Sequence, residues 1–266
     1  MTTRLIIHQT HGCEEAALPP LLARLRRSVI EHNPQAEHRY WSDAALGAFI
    51  ATNFPRLNPA FLAARVGVQR SDLGRLAVLH AFGGLYLDTD VECLRPFEAP
   101  LVGGPRLTVA PEPQAQVDAL YGPPQPSNNQ DPPHKVTYLC NAVMYAPAGD
   151  PAVAACLAFV ERMWAAHGPA MWGSFDALGG GLLTRLWQEH PTLVNVISSS
   201  VCYPINDLKL KALSTHETDV AMARAGIFGE DAQAVHWWVH TNFEGRAALE
   251  RYDQPWPFMA ALYGLQ

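Results

Sequence analysis

Gln69–Leu94, QRSDLGRLAVLHAFGGLYLDTDVECL, is the stretch whose reading decides the fold class. Residues 71–82 carry helical spacing, with Leu73, Leu76, Ala77 and His80 on one face and Asp72, Arg75 and Leu79 on another. Gly83 and Gly84 stop that helix, because glycine accepts the left-handed conformation that closes one. Leu85, Tyr86 and Leu87 are too few for a second helix and predict a buried strand. That strand delivers Asp88, Thr89 and Asp90 at its carboxyl end, where open α/β sheets bind their ligands.

Working outward, Leu5 to His8 predicts a first strand, which the following polar residues break into a loop. Pro19 or Pro20 opens a helix with Leu21, Leu25 and Val29 at i, i+4, i+8, ending before Asn33 and Pro34. His38 to Trp41 predicts a second strand, and Ser42 or Asp43 caps a helix to Ile50. Strand, helix, strand, helix implies an α/β protein with a mainly parallel central sheet flanked by helices.

Beyond the acidic pair, Leu107 to Ala110 and Val136 to Tyr145 predict further strands, the second carrying Asn141. Residues 111–134 are Pro-rich, and a loop of that length is either disordered or a functional lid. Pro151 to His167 predicts a helix, and Gly179, Gly180 and Gly181 lead into another at Leu182 to Glu189, whose N-terminal amides suit an anion such as a diphosphate. Val194 to Ile197, Val201 to Ile205 and Val235 to Thr241 predict short strands, with a capping box at Ser214 and Glu217 opening a helix to Arg224.

The chain is 266 residues long, 48% hydrophobic and 17% charged, which allows one domain over residues 1–266 with a Pro-rich loop or insertion at 111–134. A net charge of −6 with 19 Lys plus Arg argues against a nucleic-acid partner. There is no apolar run of transmembrane length, leaving at most peripheral membrane contact. The five cysteines are widely spaced and lack a CxxC pair, so a cytoplasmic location is the simpler expectation.

Asp88 and Asp90 lie about 7 Å apart along an extended chain. Two carboxylates so placed either share a magnesium or manganese ion or form a solvated acidic turn. An EF-hand is excluded, since its sixth and twelfth positions from Asp88 are Cys93 and Ala99. A phosphatase with the same Asp-x-Asp start needs Thr four residues on, where Glu92 stands. Asp72 and Arg75 are either a surface ion pair or side chains aimed into the same cleft. His236 shares a strand face with His240, and stacking is the simplest role for Trp237 and Trp238. No nucleophile elbow, P-loop or dinucleotide fingerprint is present, and no catalytic nucleophile is assigned.

ArgSerAspLeuGlyArgLeu at 70–76 followed by PheGlyGlyLeuTyrLeuAspThrAspVal at 82–91 resembles glycosyltransferase family 32. That DXD-containing family includes capsular-polysaccharide transferases and initiating mannosyltransferases, and clostridial glucosylating toxins share the pattern. LeuIleIleHisGlnThr, TyrTrpSerAsp at 40–43, Asn141 and AlaValHisTrpTrp at 234–238 extend the resemblance. It implies a GT-A fold and a retaining, metal-dependent transferase that moves a hexose from a UDP- or GDP-sugar to a hydroxyl of a glycan, glycolipid or protein. It further implies that Asp72, Arg75, Tyr86, Asp88, Asn141, Gly180, Gly181, His8 and His11 bind the donor. Asp90, Asp88, His236 and Thr241 are the residues it implies for Mn2+ or Mg2+. The sequence departs from the family at His11, where a Trp usually stacks on the base, and at Asn242, where Trp is common. The two rival readings are a metal-dependent phosphatase and a catalytically inactive nucleotide-sugar-binding domain.

Overall fold

The structure, a computed structural model, describes residues 4–113, 137–174, 177–204 and 228–239. Strand β1 (Ile6–His11) leads through helix α1 (Pro20–His32) to β2 (Glu37–Ser42), and α2 (Asp43–Asn53), α3 (Asn58–Ala63) and α4 (Gly67–Phe82) lead on to β3 (Gly84–Leu87). After β4 (Val91–Cys93) come β5 (Leu107–Pro111), β6 (Leu139–Ala146), α5 (Pro151–His167), α6 (Gly179–Glu189), β7 (Val194–Val196) and β8 (Ala234–His236). The main sheet has six strands in the order β2-β1-β3-β6-β5-β7. Strand β1 is parallel to β2 and β3, and β7 to β5, while β6 runs antiparallel to both its neighbours. The expected architecture, a mainly parallel sheet flanked by helices, is therefore observed, with β6 reversed.

Strand β3 shows why its sequence reads as unbroken apolar. Tyr86 packs into the core on one face, with Leu73, Leu76 and Met144, and Leu85 and Leu87 pack into the other with Val29 and Val143. Both faces are covered, so no polar alternation survives. The glycines before it are required by space. Gly84 has φ +101°, and a Cβ there would come within 2.2 Å of the Ile6 carbonyl oxygen on the neighbouring strand.

Several elements differ from the sequence expectation. Strand β1 continues through Thr10 to His11 instead of breaking after His8, because its polar side chains find buried partners: Gln9 Oε1 accepts from Arg26 Nη1 at 2.9 Å, and Thr10 Oγ1 lies 2.9 Å from Tyr86 Oη. Helix α6 begins at Gly179, so all three glycines are inside its first turn. Helix α3, with Pro59 in its first turn, was not expected. Residues 199–201 form a 3-10 turn where a strand was expected from Val201, the Tyr203 amide donating back to the Ser199 carbonyl. The predicted 214–224 helix and most of the Pro-rich loop lie outside the described residues.

His8, expected among the donor-binding residues, lies in the core. Its ring is fully buried and packs in a triangle with Trp41 and Phe82, at centroid distances of 6.2 and 6.0 Å. Nδ1 accepts from Trp41 Nε1 at 3.2 Å and Nε2 donates to the Gly83 carbonyl at 2.9 Å, so neither nitrogen is offered to a ligand. Burial pushes its pKa down from 6.5 to about 4. With a folded pKa below the unfolded one, the stability is fully present above pH 6.5 and falls away as pH drops towards 4, by about 3 kcal/mol across that window. Denaturant unfolding of wild type and His8→Gln at both ends of the window is expected to show wild type losing more stability on acidification, so that the gap between the two shrinks.

Candidate metal and donor site

The backbone first fixes where the carboxylates stand. Beyond β3 the Asp88 amide still donates to the Ala142 carbonyl of β6 at 2.8 Å, so Asp88 is held at the sheet's edge of pairing. Helix α4 lies against the same strands and brings Asp72 and Arg75 over them. Arg75 Nη2 reaches Asp72 Oδ1 at 3.0 Å and Asp88 Oδ1 at 3.2 Å, and Nη1 donates to the Asn141 carbonyl. Asn141 Nδ2 donates to Asp72 Oδ1 at 2.7 Å. Of the two readings the sequence left for Asp72 and Arg75, the structure shows the shared cleft: they join Asp88 and Asn141 in one network and are not a surface ion pair.

Burial raises the Asp72 and Asp88 carboxyls, and the Arg75 charge opposes it at both. Burial works against the Arg75 cation too, but Asp88, Tyr86 and Asp72 outweigh it and hold the guanidinium above its ordinary value. Tyr86 is fully buried beneath this group, its hydroxyl donating to Asp88 Oδ1 at 2.7 Å and its ring lying 4.6 Å under the Arg75 guanidinium. Tyr86, expected among the donor-binding residues, supports Asp88 and Arg75 from below.

Asp90 is placed by the ribbon of β4 and β8, in which Val91 pairs with His236. His236 Nε2 stands 3.1 Å from Asp90 Oδ1, and the Val239 amide donates to Oδ2 at 3.0 Å. Trp238 between them has φ +52°, which turns the chain so that the Val239 amide faces the carboxylate. Burial would raise the Asp90 pKa, but His236 and that amide bring it down to about 2, and Asp90 in turn outweighs burial to raise His236.

Asp88, Asp90 and His236 each offer one ligand atom within 4.8 Å of the others, and His236 Nδ1 is buried without a partner. Two carboxylate oxygens and an imidazole nitrogen suit manganese, and also magnesium with water completing its shell. The residues present therefore fit a divalent cation. Thr241 and His240 lie outside the described residues.

The remaining expectations divide. Gly180 is needed for packing, because a Cβ there would come within 2.4 Å of the Leu139 carbonyl oxygen of β6. Gly179, the first of the three glycines, has φ +65°, and a Cβ on it would stand 3.2 Å from Asp72 Oδ2 and 3.5 Å from Asn141 Nδ2. The N-terminus of α6, with no side-chain cap, thus meets the Asp72 network, and Gly181 sits buried in its first turn. His11 ends β1 opposite Ser42, with Nδ1 3.1 Å from Cys13 Sγ. Glu92, in the place a phosphatase gives to Thr, is buried and accepts from Trp237 Nε1 at 3.0 Å. Thr10 and Ser71 behind Tyr86 and the Val239 amide were missed, since only distant strand pairing brings them here.

Residues 19–107 match the family described as a glycosyltransferase sugar-binding region containing a DXD motif. Inositol phosphoceramide mannosyltransferase 3 of Schizosaccharomyces pombe is 34% identical over 90 residues, covering 34% of this chain and 25% of the relative. Mannosyl phosphorylinositol ceramide synthase CSH1 of Saccharomyces cerevisiae is 29% identical over 90 residues, 34% of this chain and 23% of the relative. The matched stretch thus spans about a quarter of the length of these curated relatives. Among solved structures, the PaToxG glycosyltransferase is 16% identical with a TM-score of 0.47, covering 97% of this chain and 87% of that one. Mouse xyloside xylosyltransferase 1 is 13% identical with a TM-score of 0.48, covering 88% and 97%.

Proposed function

We propose, from the premise that residues 19–107 carry a glycosyltransferase sugar-binding region with its DXD motif, that this protein transfers a hexose from a UDP- or GDP-sugar to a hydroxyl acceptor with retention of configuration. The acceptor class is a glycan, glycolipid or protein. The observation that carries the reading is the side-by-side placement of two sites: the Asp88, Asp90 and His236 ligand set and the Asp72, Arg75 and Asn141 network.

Asp88, Asp90 and His236 would hold Mn2+ or Mg2+, which supplies positive charge to a leaving diphosphate. Asp72 and Asn141, fixed by Arg75, present acceptors and donors to sugar hydroxyls, and the uncapped N-terminus of α6 beside them favours negative charge. In the transfer the bond from the anomeric carbon to the diphosphate oxygen breaks and the acceptor oxygen bonds to the same face. The acceptor proton passes to the departing phosphate oxygen, and no side chain is assigned as nucleophile. The buried Arg75 charge favours the ionised forms of Asp72 and Asp88 against the burial that raises both, beside the positive charge that would develop on the sugar.

A panel of UDP- and GDP-hexoses, with and without manganese and with detection of freed nucleotide, tests this. Manganese-dependent release from one donor is expected. Phosphate release from phosphomonoesters with indifference to nucleotide sugars would instead favour the phosphatase, and donor binding without turnover an inactive binding domain.

A further inference from the structure

Among the described residues four large apolar side chains are exposed, Ile30, Leu62, Val66 and Val68, at 36, 70, 44 and 42%. Three of the four fall between residues 62 and 68, at the end of α3 and the start of α4, where Arg65, Val66, Gly67 and Val68 are all exposed in succession. The neighbouring side chains of the same segment, Leu57, Ala60 and Phe61, are buried in the core, so the outward set is a separate face and not a loosened part of the interior.

The charge of that segment is one-sided. Between Asp43 and Asp72 the sequence holds three arginines, Arg56, Arg65 and Arg70, and no Asp or Glu, in a chain whose net charge is −6. Arg70 is taken up by Asp43 at 2.8 Å. Arg56 is 86% exposed with only a 4.0 Å approach to Glu161, and Arg65 is exposed. Outward apolar side chains between exposed cations match the boundary of an anionic bilayer, where acyl chains take the former and headgroup phosphates the latter.

We propose that residues 56–68 form a docking surface for an anionic lipid bilayer. Position gives the surface a consequence. From Gly67 to Asp72 is about 7.5 Å along α4 at the helical rise, so a docked molecule holds the Asp72 network within reach of the headgroup layer. A lipid-borne acceptor hydroxyl would then meet the cleft without leaving the membrane. The docking proposal does not rest on the transferase reading, and its test measures no turnover.

Flotation of the full chain with vesicles of phosphatidylcholine alone, or mixed with phosphatidylglycerol, provides the test. Binding to the mixed vesicles and little to phosphatidylcholine alone is expected. Leu62→Asp with Val66→Asp is expected to lower partitioning at least tenfold, and Arg56→Glu or Arg65→Glu about fivefold each, an effect that shrinks in high salt. Unchanged circular dichroism shows that each variant is folded. Failure of the wild type to float with either vesicle, or equal flotation of the double Asp variant, overturns the proposal. So does a wild-type dimer in size-exclusion chromatography that the double Asp variant splits, which would make the face an interface between two copies.

Discussion

Asp90→Asn is expected to lower manganese-dependent nucleotide release on the order of 10³-fold, about 4 kcal/mol of transition-state stabilisation, while leaving the fold intact. The substitution is nearly isosteric and separates charge from shape. An amide oxygen still accepts from the Val239 amide, which donates to Asp90 Oδ2 at 3.0 Å. What is lost is one negative charge beside His236 and Asp88. The Val239 hydrogen bond survives, and the structural cost is that of the lost His236–Asp90 interaction, about 2 kcal/mol, so a drop of three decades without a matching fall in stability locates the loss in cation binding. Manganese titration by calorimetry, run beside nucleotide detection, makes the distinction. Manganese affinity and release rate both equal to wild type would remove Asp90 from the cation site.

The parts of this site legible in the sequence are those set by short-range geometry. Asp72 and Arg75 are one helical turn apart, and two glycines and an apolar tripeptide lead to Asp88, so helix, stop and strand follow from residues within a few positions of each other. Asn141 stands out as the polar residue in an apolar run. The end of β1 was illegible because its polar residues are satisfied by partners far along the chain, Arg26 for Gln9 and Tyr86 for Thr10. A histidine, glutamine and threonine in sequence look like a loop when those partners are unseen. The burial of His8 was illegible for the same reason, since its two nitrogens are taken by Trp41 and Gly83. The need for a glycine at Gly180 comes from the Leu139 carbonyl of β6, which no local pattern announces. Tyr86 shows the converse. The short apolar run of β3 gave its burial, but its hydroxyl could be assigned to Asp88 only once the turn after Leu87 was in place.

Arg75→Leu is expected to destabilise the protein by about 3–5 kcal/mol at neutral pH, the cost of stranding carboxylates whose buried cation has been removed. Arg75 is 3% exposed and pairs with Asp72 and Asp88, which are 15 and 26% exposed. Burial already raises both carboxyls, and without the guanidinium they rise further. A carboxyl whose folded pKa lies above its unfolded value near 3.8 gains stability as pH falls through the folded pKa. The variant's deficit is therefore expected to narrow on acidification from neutral pH, as Asp72 and Asp88 take up protons the unfolded chain does not. Arg75→Lys retains the charge but lacks the planar fork that reaches Asp72, Asp88 and the Asn141 carbonyl together, and is expected to recover part of the loss. Adding Asp72→Asn to Arg75→Leu removes one stranded charge and is expected to restore part of the stability of the single variant. Urea unfolding of the three variants across pH decides it. A deficit for Arg75→Leu that is independent of pH and untouched by Asp72→Asn would mean that the side chain contributes through packing against Tyr86 and not through its charge.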